Sequence, residues 1–268
     1  MALEHALGWD PCFVERHPLM WPLARAAEPV RACTAWPTLA QLDALYAVQA
    51  QRRGAPLLRF APYVRRRRSR KSAPIALAEL YDGRIALRGE VPTREQSWHD
   101  LLNALCFATW PKSKHALHLR QCRAQAARLQ GGATRLPPAR TAEQDALTLL
   151  DEGGVVIAAL PDAATELATT PTRDLPTRLG DLQGSGRARA VPFGHALFEH
   201  LVEGLPCPGT AARILVFEAL PRDTDTLLDA IDDSLALTVE DPSCFGSHDQ
   251  TLHLRLGLLA STPGSAHP

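Results

Sequence analysis

The chain has 268 residues, 46% of them hydrophobic and 22% charged, so it can bury a substantial core. Basic and acidic side chains number 29 each, which leaves no whole-chain attraction to nucleic acid or an anionic membrane; only a local patch could supply one. Six scattered cysteines (Cys12, Cys33, Cys106, Cys122, Cys207, Cys244) form no CxxC pair, and Glu4, His5 and Asp10 stand where a secretory signal needs a basic start and an apolar run. No stretch approaches the ~20 apolar residues of a membrane span. The composition therefore reads as a soluble, cytoplasmic protein with reduced cysteines and no membrane partner.

Residues 1–37 are rich in Pro and Trp, including Trp9, Pro18, Trp21, Pro29 and Trp36. Proline at this density predicts an irregular arm, and the tryptophans predict that it packs. Thr38 and Gln41 form a T-x-x-Q capping box, and Leu39, Leu42, Leu45 and Val48 follow at helical spacing until Gly54 and Pro56. Residues 65–71, RRRRSRK, are a strong basic run. It reads as a solvated loop or as a patch for nucleic acid or an acidic partner, with no aromatic residue interleaved for base stacking.

Glu79–Arg88 reads as a β-hairpin turning at Asp82-Gly83. A loop through Arg94 then feeds a helix capped by Ser97 and ending before Pro111, and a second helix runs from Ser113 to about Gln130. Asp151-Glu152-Gly153-Gly154 reads as the turn of a second hairpin between Leu147–Leu150 and Val155–Ala159, with a helix over 141–150 as the competing reading. Residues 162–192 read as an irregular loop with some short helix. Helices are expected over 194–202 and 223–235, and a strand over 212–219. The expected fold is α+β, a mainly helical single domain over 38–260 with short β-hairpins, a Pro/Trp-rich arm over 1–37 and a flexible tail over 261–268.

The chemistry-bearing stretch is Trp98-His99-Asp100-Leu101-Leu102-Asn103. On a helix, His99, Asp100 and Asn103 share one flank, a set able to position a proton or to stitch a helix to its neighbour. The His99-Asp100 dipeptide also resembles that of metal-dependent phosphohydrolases, which need further ligands from other helices. His115, His118 and Cys122 at i, i+3 and i+7 could line one face as zinc ligands, but surface histidines and a buried cysteine explain them as well; no metal and no cofactor is assigned. Lys114, near a helix start, gains nothing from the macrodipole and is expected to reach an anion or a carboxylate such as Asp100, Asp145, Asp151 or Glu152. Gly184-Ser185-Gly186-Arg187 lacks the ending of a phosphate-binding loop.

The strings Val91-Pro92-Thr93-Arg94, Trp98-His99-Asp100-x-x-Asn103-Ala104 and Pro111-x-x-Lys114 resemble the signature of a proteobacterial family, domain-of-unknown-function family three thousand and twenty-five. Asp145-Ala146-Leu147-Thr148-x-x-Asp151-Glu152 and Gly194-His195-Ala196-Leu197 resemble its other motifs, so the likeness spans roughly 70–220. The family pattern has Asn at the position of His118, which argues against His118 as an indispensable metal ligand. The resemblance implies a cytosolic bacterial protein and no particular activity. It picks out His99, Asp100, Asn103, Lys114, Asp145, Thr148, Asp151, Glu152 and His195.

Two function classes follow. In the first, His99 or His195 is a general acid/base oriented by Asp100 or Asp151, with Asn103 beside them. Arg94, Lys114, Thr148 and Glu152 bind a small anionic substrate, for hydrolysis or phosphate-ester chemistry. In the second, the chain is a non-enzymatic module whose run 65–71 binds nucleic acid or an acidic partner. The oligomeric state is not legible.

Overall fold

A computed structural model describes residues 8–64, 76–129, 139–205, 209–246 and 252–255; the basic run 65–71 and the tail 261–268 lie outside them. Two 3-10 turns, Phe13–Glu15 and Pro18–Leu23, lead into helix α1 (Ala24–Arg31). The irregular arm expected here is thus largely helical. Pro18 sits at a turn start, where its missing N–H costs nothing, and Phe13, Met20, Leu23 and Ala27 are fully buried. Helix α2 (Leu39–Arg53) starts at the Thr38–Gln41 capping box and ends on Gly54 at φ 65°, as its sequence signals require. Strand β1 (Arg59–Pro62) follows.

The first expected hairpin is absent. Leu77–Glu79 is a 3-10 turn and Tyr81–Arg88 is helix α3. Gly83 is needed for close approach rather than for a turn: a Cβ there would lie 1.8 Å from the Leu77 carbonyl oxygen. Strand β2 (Glu90–Thr93) then pairs in parallel with β1. Helices α4 (Trp98–Thr109) and α5 (Pro111–Leu129) follow, α4 capped by Ser97. The start of α5 is held from elsewhere in the chain. The buried Asp232 carboxylate accepts from the Lys112 and Ser113 backbone N–H groups at 3.2 and 2.8 Å and from the Ser113 hydroxyl at 2.7 Å.

The second expected hairpin is also absent, and the competing helix is present. A Thr141–Gln144 capping box opens helix α6 (Ala142–Gly153), which runs directly into strand β3 (Gly154–Ala159). The stretch expected to be irregular holds helices α7 (Pro161–Thr169) and α8 (Leu175–Gly184) and strand β4 (Ala188–Pro192). Pro161 and Pro176 fall in the first turns of α7 and α8, where proline starts a helix rather than breaking it, while Pro171 precedes α8 and Pro192 ends β4. Helix α9 (His195–Glu203), strand β5 (Gly209–Val216), helix α10 (Thr224–Glu240) and strand β6 (Leu252–Arg255) complete the order.

The larger sheet has the order β4-β3-β5-β6, with β3 parallel to β5 and antiparallel to β4, and β5 antiparallel to β6. Every residue of β3 is buried, as a strand covered on both faces must be, which explains the unbroken apolar run Val155–Ala159. α10 packs along α5, α4 packs on α2 and α9, and α6 meets α5 and α9. The result is the mainly helical α+β domain expected, without hairpins among the described residues.

Gly83→Ala is expected to lower stability by at least about 1–3 kcal/mol in urea unfolding, the usual cost of overpacking. Gly184→Ala, whose Cβ meets nothing within 4 Å, is the matched control and should leave stability unchanged or raised.

Candidate active site

Lys114, in the first turn of α5, is fully buried. A buried ammonium must be paired. Its Nζ donates to Asn103 Oδ1 on α4 at 2.9 Å and to the Asp151 carboxylate at the end of α6. It also lies 4.7 Å from the centre of the Phe107 ring. Asn103 and Phe107 are four apart on α4 and so present one face to the lysine. The Asn103 amide donates onward to the Tyr81 hydroxyl at 2.9 Å. Tyr81 is 39% exposed, yet its hydroxyl is at the inner end. Burial pushes that hydroxyl's pKa up, and the Asp151 charge adds to the effect. For Asp151, burial favours the neutral acid, but the Lys114 ammonium leads the influences that outweigh it and hold the carboxyl well below its ordinary range.

His195, the first residue of α9, sits against the end of α6. Its Nδ1 lies 2.9 Å from the Asp151 backbone oxygen. Gly194 makes this approach feasible, since a Cβ there would stand 2.4 Å from the Glu152 carbonyl oxygen. The other ring nitrogen, Nε2, lies 3.2 Å from Nε2 of His99, and His99 Nδ1 lies 2.8 Å from Glu199 Oε2. A carbonyl only accepts, so His195 Nδ1 carries a hydrogen; in the neutral ring that burial favours, its Nε2 is then an acceptor. His99 then donates from Nε2 to His195 and from Nδ1 to the Glu199 carboxylate, so His99 is an imidazolium. The pKa shifts agree. The Glu199 hydrogen bond raises His99 against its desolvation. Burial pushes His195 down to about 3, although Asp151 pulls the other way.

The structure thus brings together His99, Asn103, Lys114, Asp151 and His195 from α4, α5, α6 and α9. Asp100 does not orient His99; it takes a forked pair from Arg94 Nε and Nη2, both at 2.9 Å, and the Arg94 backbone N–H. Lys114 is saturated by protein groups and screened from solvent, so it cannot meet a substrate's anion directly. Thr148 belongs to a separate set: its hydroxyl donates to the Gln144 carbonyl at 2.8 Å and accepts from Gln121 and Arg140. Glu152 is exposed at the helix end. His115 and Cys122 do not join His118 around a metal; among the described residues no group of three or more His, Cys, Asp or Glu is placed to hold one.

Glu199 and Tyr81 are the partners that sequence reasoning missed. Glu199 stands four after His195 on α9, a helical spacing the sequence displays, whereas Tyr81 was hidden by the hairpin reading. Solvent reaches the network at His99, Glu199 and Tyr81, whose side chains are partly exposed. A cleft of about 480 Å³ lies apart from it, lined by His115, Lys112, Asp233, Leu237 and Glu240 among others.

Lys114→Met is expected to cost about 3–5 kcal/mol in chemical unfolding, because it strands the Asp151 charge, and Lys114→Met with Asp151→Leu should recover most of that loss. Below pH 6.5 the unfolded chain's imidazole takes up a proton that folded His195 refuses until about pH 3. Wild-type stability should therefore fall through that window by up to ~1.4 kcal/mol per pH unit, and His195→Gln should remove that part of the slope. Asp151 acts lower: its contribution is present above its ordinary value of 3.8 and is lost as pH falls through the depressed one.

No helix among the described residues is long and apolar enough to cross a membrane. The five cysteines among them are all free. No curated protein and no solved structure matches the chain. The sequence profile of the family described as Protein of unknown function (DUF3025) matches residues 69–253, which takes in α3, β2, α4, α5, α6 and α9 and thus every member of the network. The chain belongs to the DUF3025 family.

Proposed function

We propose that the network is an acid–base site acting hydrolytically on a small anionic substrate, with His99 as the group that meets it. The observation that carries this reading is the pair of imidazoles at 3.2 Å, one raised in pKa by its Glu199 hydrogen bond and the other lowered by burial. Environments that push two like groups apart in pKa set one up as acid and the other as base. His99 is partly exposed, and the proton it gives is one of the two its ring nitrogens share with His195 and Glu199. His195, held neutral by burial, accepts a hydrogen bond from His99 and orients that ring from behind. Glu199 orients His99, in the place first assigned to Asp100. Asn103, Lys114 and Asp151 are positioning residues: the buried ion pair fixes the end of α6, whose carbonyl fixes the His195 tautomer. Arg94, 54% exposed on its side chain, is the cation nearest in sequence to His99 that can meet an anionic group at the surface. The basic run over 65–71 lies outside the described residues, so no structural observation favours the binding-module reading over this one.

The test is a panel of chromogenic phosphomonoesters, phosphodiesters and carboxylic esters. His99→Gln should cut turnover by about 10²–10⁴-fold, the usual share of a general acid, while leaving the melting temperature near wild type. Loss of about 1–3 kcal/mol of stability in that variant, with no turnover of any panel member by the wild type, would instead make the network a structural one.

Glu199→Gln removes the first cause of the raised His99 pKa. An activity that needs protonated His99 is lost as pH rises through that pKa. The alkaline limb of the rate profile should therefore move to lower pH in this variant, and a limb that stays in place would show that His99 is not the acid.

A further inference from the structure

His118 lies on α5 one turn beyond Lys114 and is 2% exposed. Its ring stacks on Phe107, with centroids 5.3 Å apart and planes 16° apart, and the edge of Tyr81 packs on it at 5.5 Å. Nδ1 lies 2.9 Å from Asp82 Oδ1, and the other Asp82 oxygen accepts from Gln125 Nε2 at 2.7 Å. The chain Gln125–Asp82–His118 thus fixes the ring by its Nδ1 side, which must carry a hydrogen to meet the carboxylate. The opposite atom, His118 Nε2, is buried and has no hydrogen-bond partner among the described residues. The Gln125 carbonyl oxygen is in the same condition. Buried polar atoms left alone cost about 1–3 kcal/mol each, and natural interiors rarely tolerate them.

We infer that Asp82 and His118 form a second dyad, and that His118 Nε2 holds a water molecule inside the protein. A carboxylate that orients Nδ1 and leaves Nε2 available is the arrangement of a general base. A small donor is the ligand it takes. Phe107 covers one face of the ring and Tyr81 meets it at a steep angle, so the in-plane nitrogen is the atom left to take a partner, and at 2% exposure that partner must be enclosed. Internal waters occupy such positions by satisfying polar groups the fold leaves over. Phe107 touches both His118 and Lys114. The dyad is therefore joined to the network through that ring, and through Tyr81, whose ring packs on His118 and whose hydroxyl accepts from Asn103. Use of this water in hydrolysis rests on the acid–base reading above; its presence does not.

The experiment uses the full chain labelled with ¹⁵N at histidine. Long-range ¹H–¹⁵N spectra are expected to show His118 with a protonated Nδ1 and an unprotonated Nε2 shifted by a hydrogen bond, together with a water cross-peak to its ring. His118→Asn keeps a donor for Asp82 and deletes the second nitrogen. It should reduce the number of long-lived internal waters by one in relaxation dispersion while the amide spectrum stays folded. His118→Gln is the second variant should the first fail to fold. Asp82→Asn should mix the His118 tautomers. A wild-type His118 protonated on Nε2 in its neutral form, or an unchanged water count in both His118 variants, would overturn the inference. His99 resonances in the same spectra report on the acid–base pair separately, so failure of one reading is distinguishable from failure of the other.

Discussion

The buried salt bridge between Lys114 and Asp151 is the constraint around which the site is arranged. An ammonium cannot be taken from water without compensation, and the interior supplies it from two separate helices, Asn103 on α4 and Asp151 on α6. Three helices are thereby tied at one point. Asp151 then does more than neutralise: its backbone oxygen meets His195, which begins α9. A charge placed in the first turn of α5, where the macrodipole opposes it, is held by partners strong enough to override that position. The turn is in turn held by Asp232 on α10, whose carboxyl burial pushes up while the Ser113 and Lys112 donors pull it down.

The imidazole pair inherits its asymmetry from this anchoring. His195 is enclosed because α6 and α9 meet without a side chain between them at Gly194. His99 is at the rim because α4 carries it there beside Glu199. Two chemically identical rings thus differ in charge only through depth and partner. The aromatic group formed by Trp9, Phe13, Trp36 and Trp98 packs at the start of α4, adjacent to His99. The guanidinium of Arg16 bonds the Val202 carbonyl at 2.8 Å on α9. Residues 9–36 accordingly brace both helices that carry the pair, although the family match begins only at residue 69.

What could be read from the sequence was what local chemistry determines. The Thr38–Gln41 box, the Gly54 stop, the Ser97 cap and the apolar periods placed α2, α4 and α5, and α9 and α10 within a few residues. His99, Asn103, Lys114, Asp151 and His195 of the network were named as well, from their residue types, helical spacing and family motifs, whereas Glu199 and Tyr81 were not. The errors share one cause. Asp82-Gly83 and Gly153-Gly154 were read as turns because glycine next to an acidic residue usually marks one. At Gly83 and Gly154 the glycine instead answers to a carbonyl oxygen of another turn within 2.3 Å of where a Cβ would be. Neither close approach leaves a periodic trace in the sequence. The same holds for the His99–Glu199 contact, whose partners are 100 residues apart. Pro161 and Pro176 open α7 and α8, but a proline's position within a helix cannot be seen until the helix start is known.

The order in which the network's members occur along the chain has a consequence for synthesis. Lys114 is translated well before Asp151 and His195, and the central strand β3 finds its parallel partner β5 only after residue 209. Until Asp151 is made the nascent chain offers the lysine no carboxylate from α6, and until residue 209 is made the strand has only its antiparallel neighbour β4. The ammonium must stay hydrated through the first of these intervals, which keeps α5 from settling early on α4. Completion of this domain is therefore postponed until most of the polypeptide has left the ribosome, and its assembly depends on contacts distant in sequence rather than on helix formation.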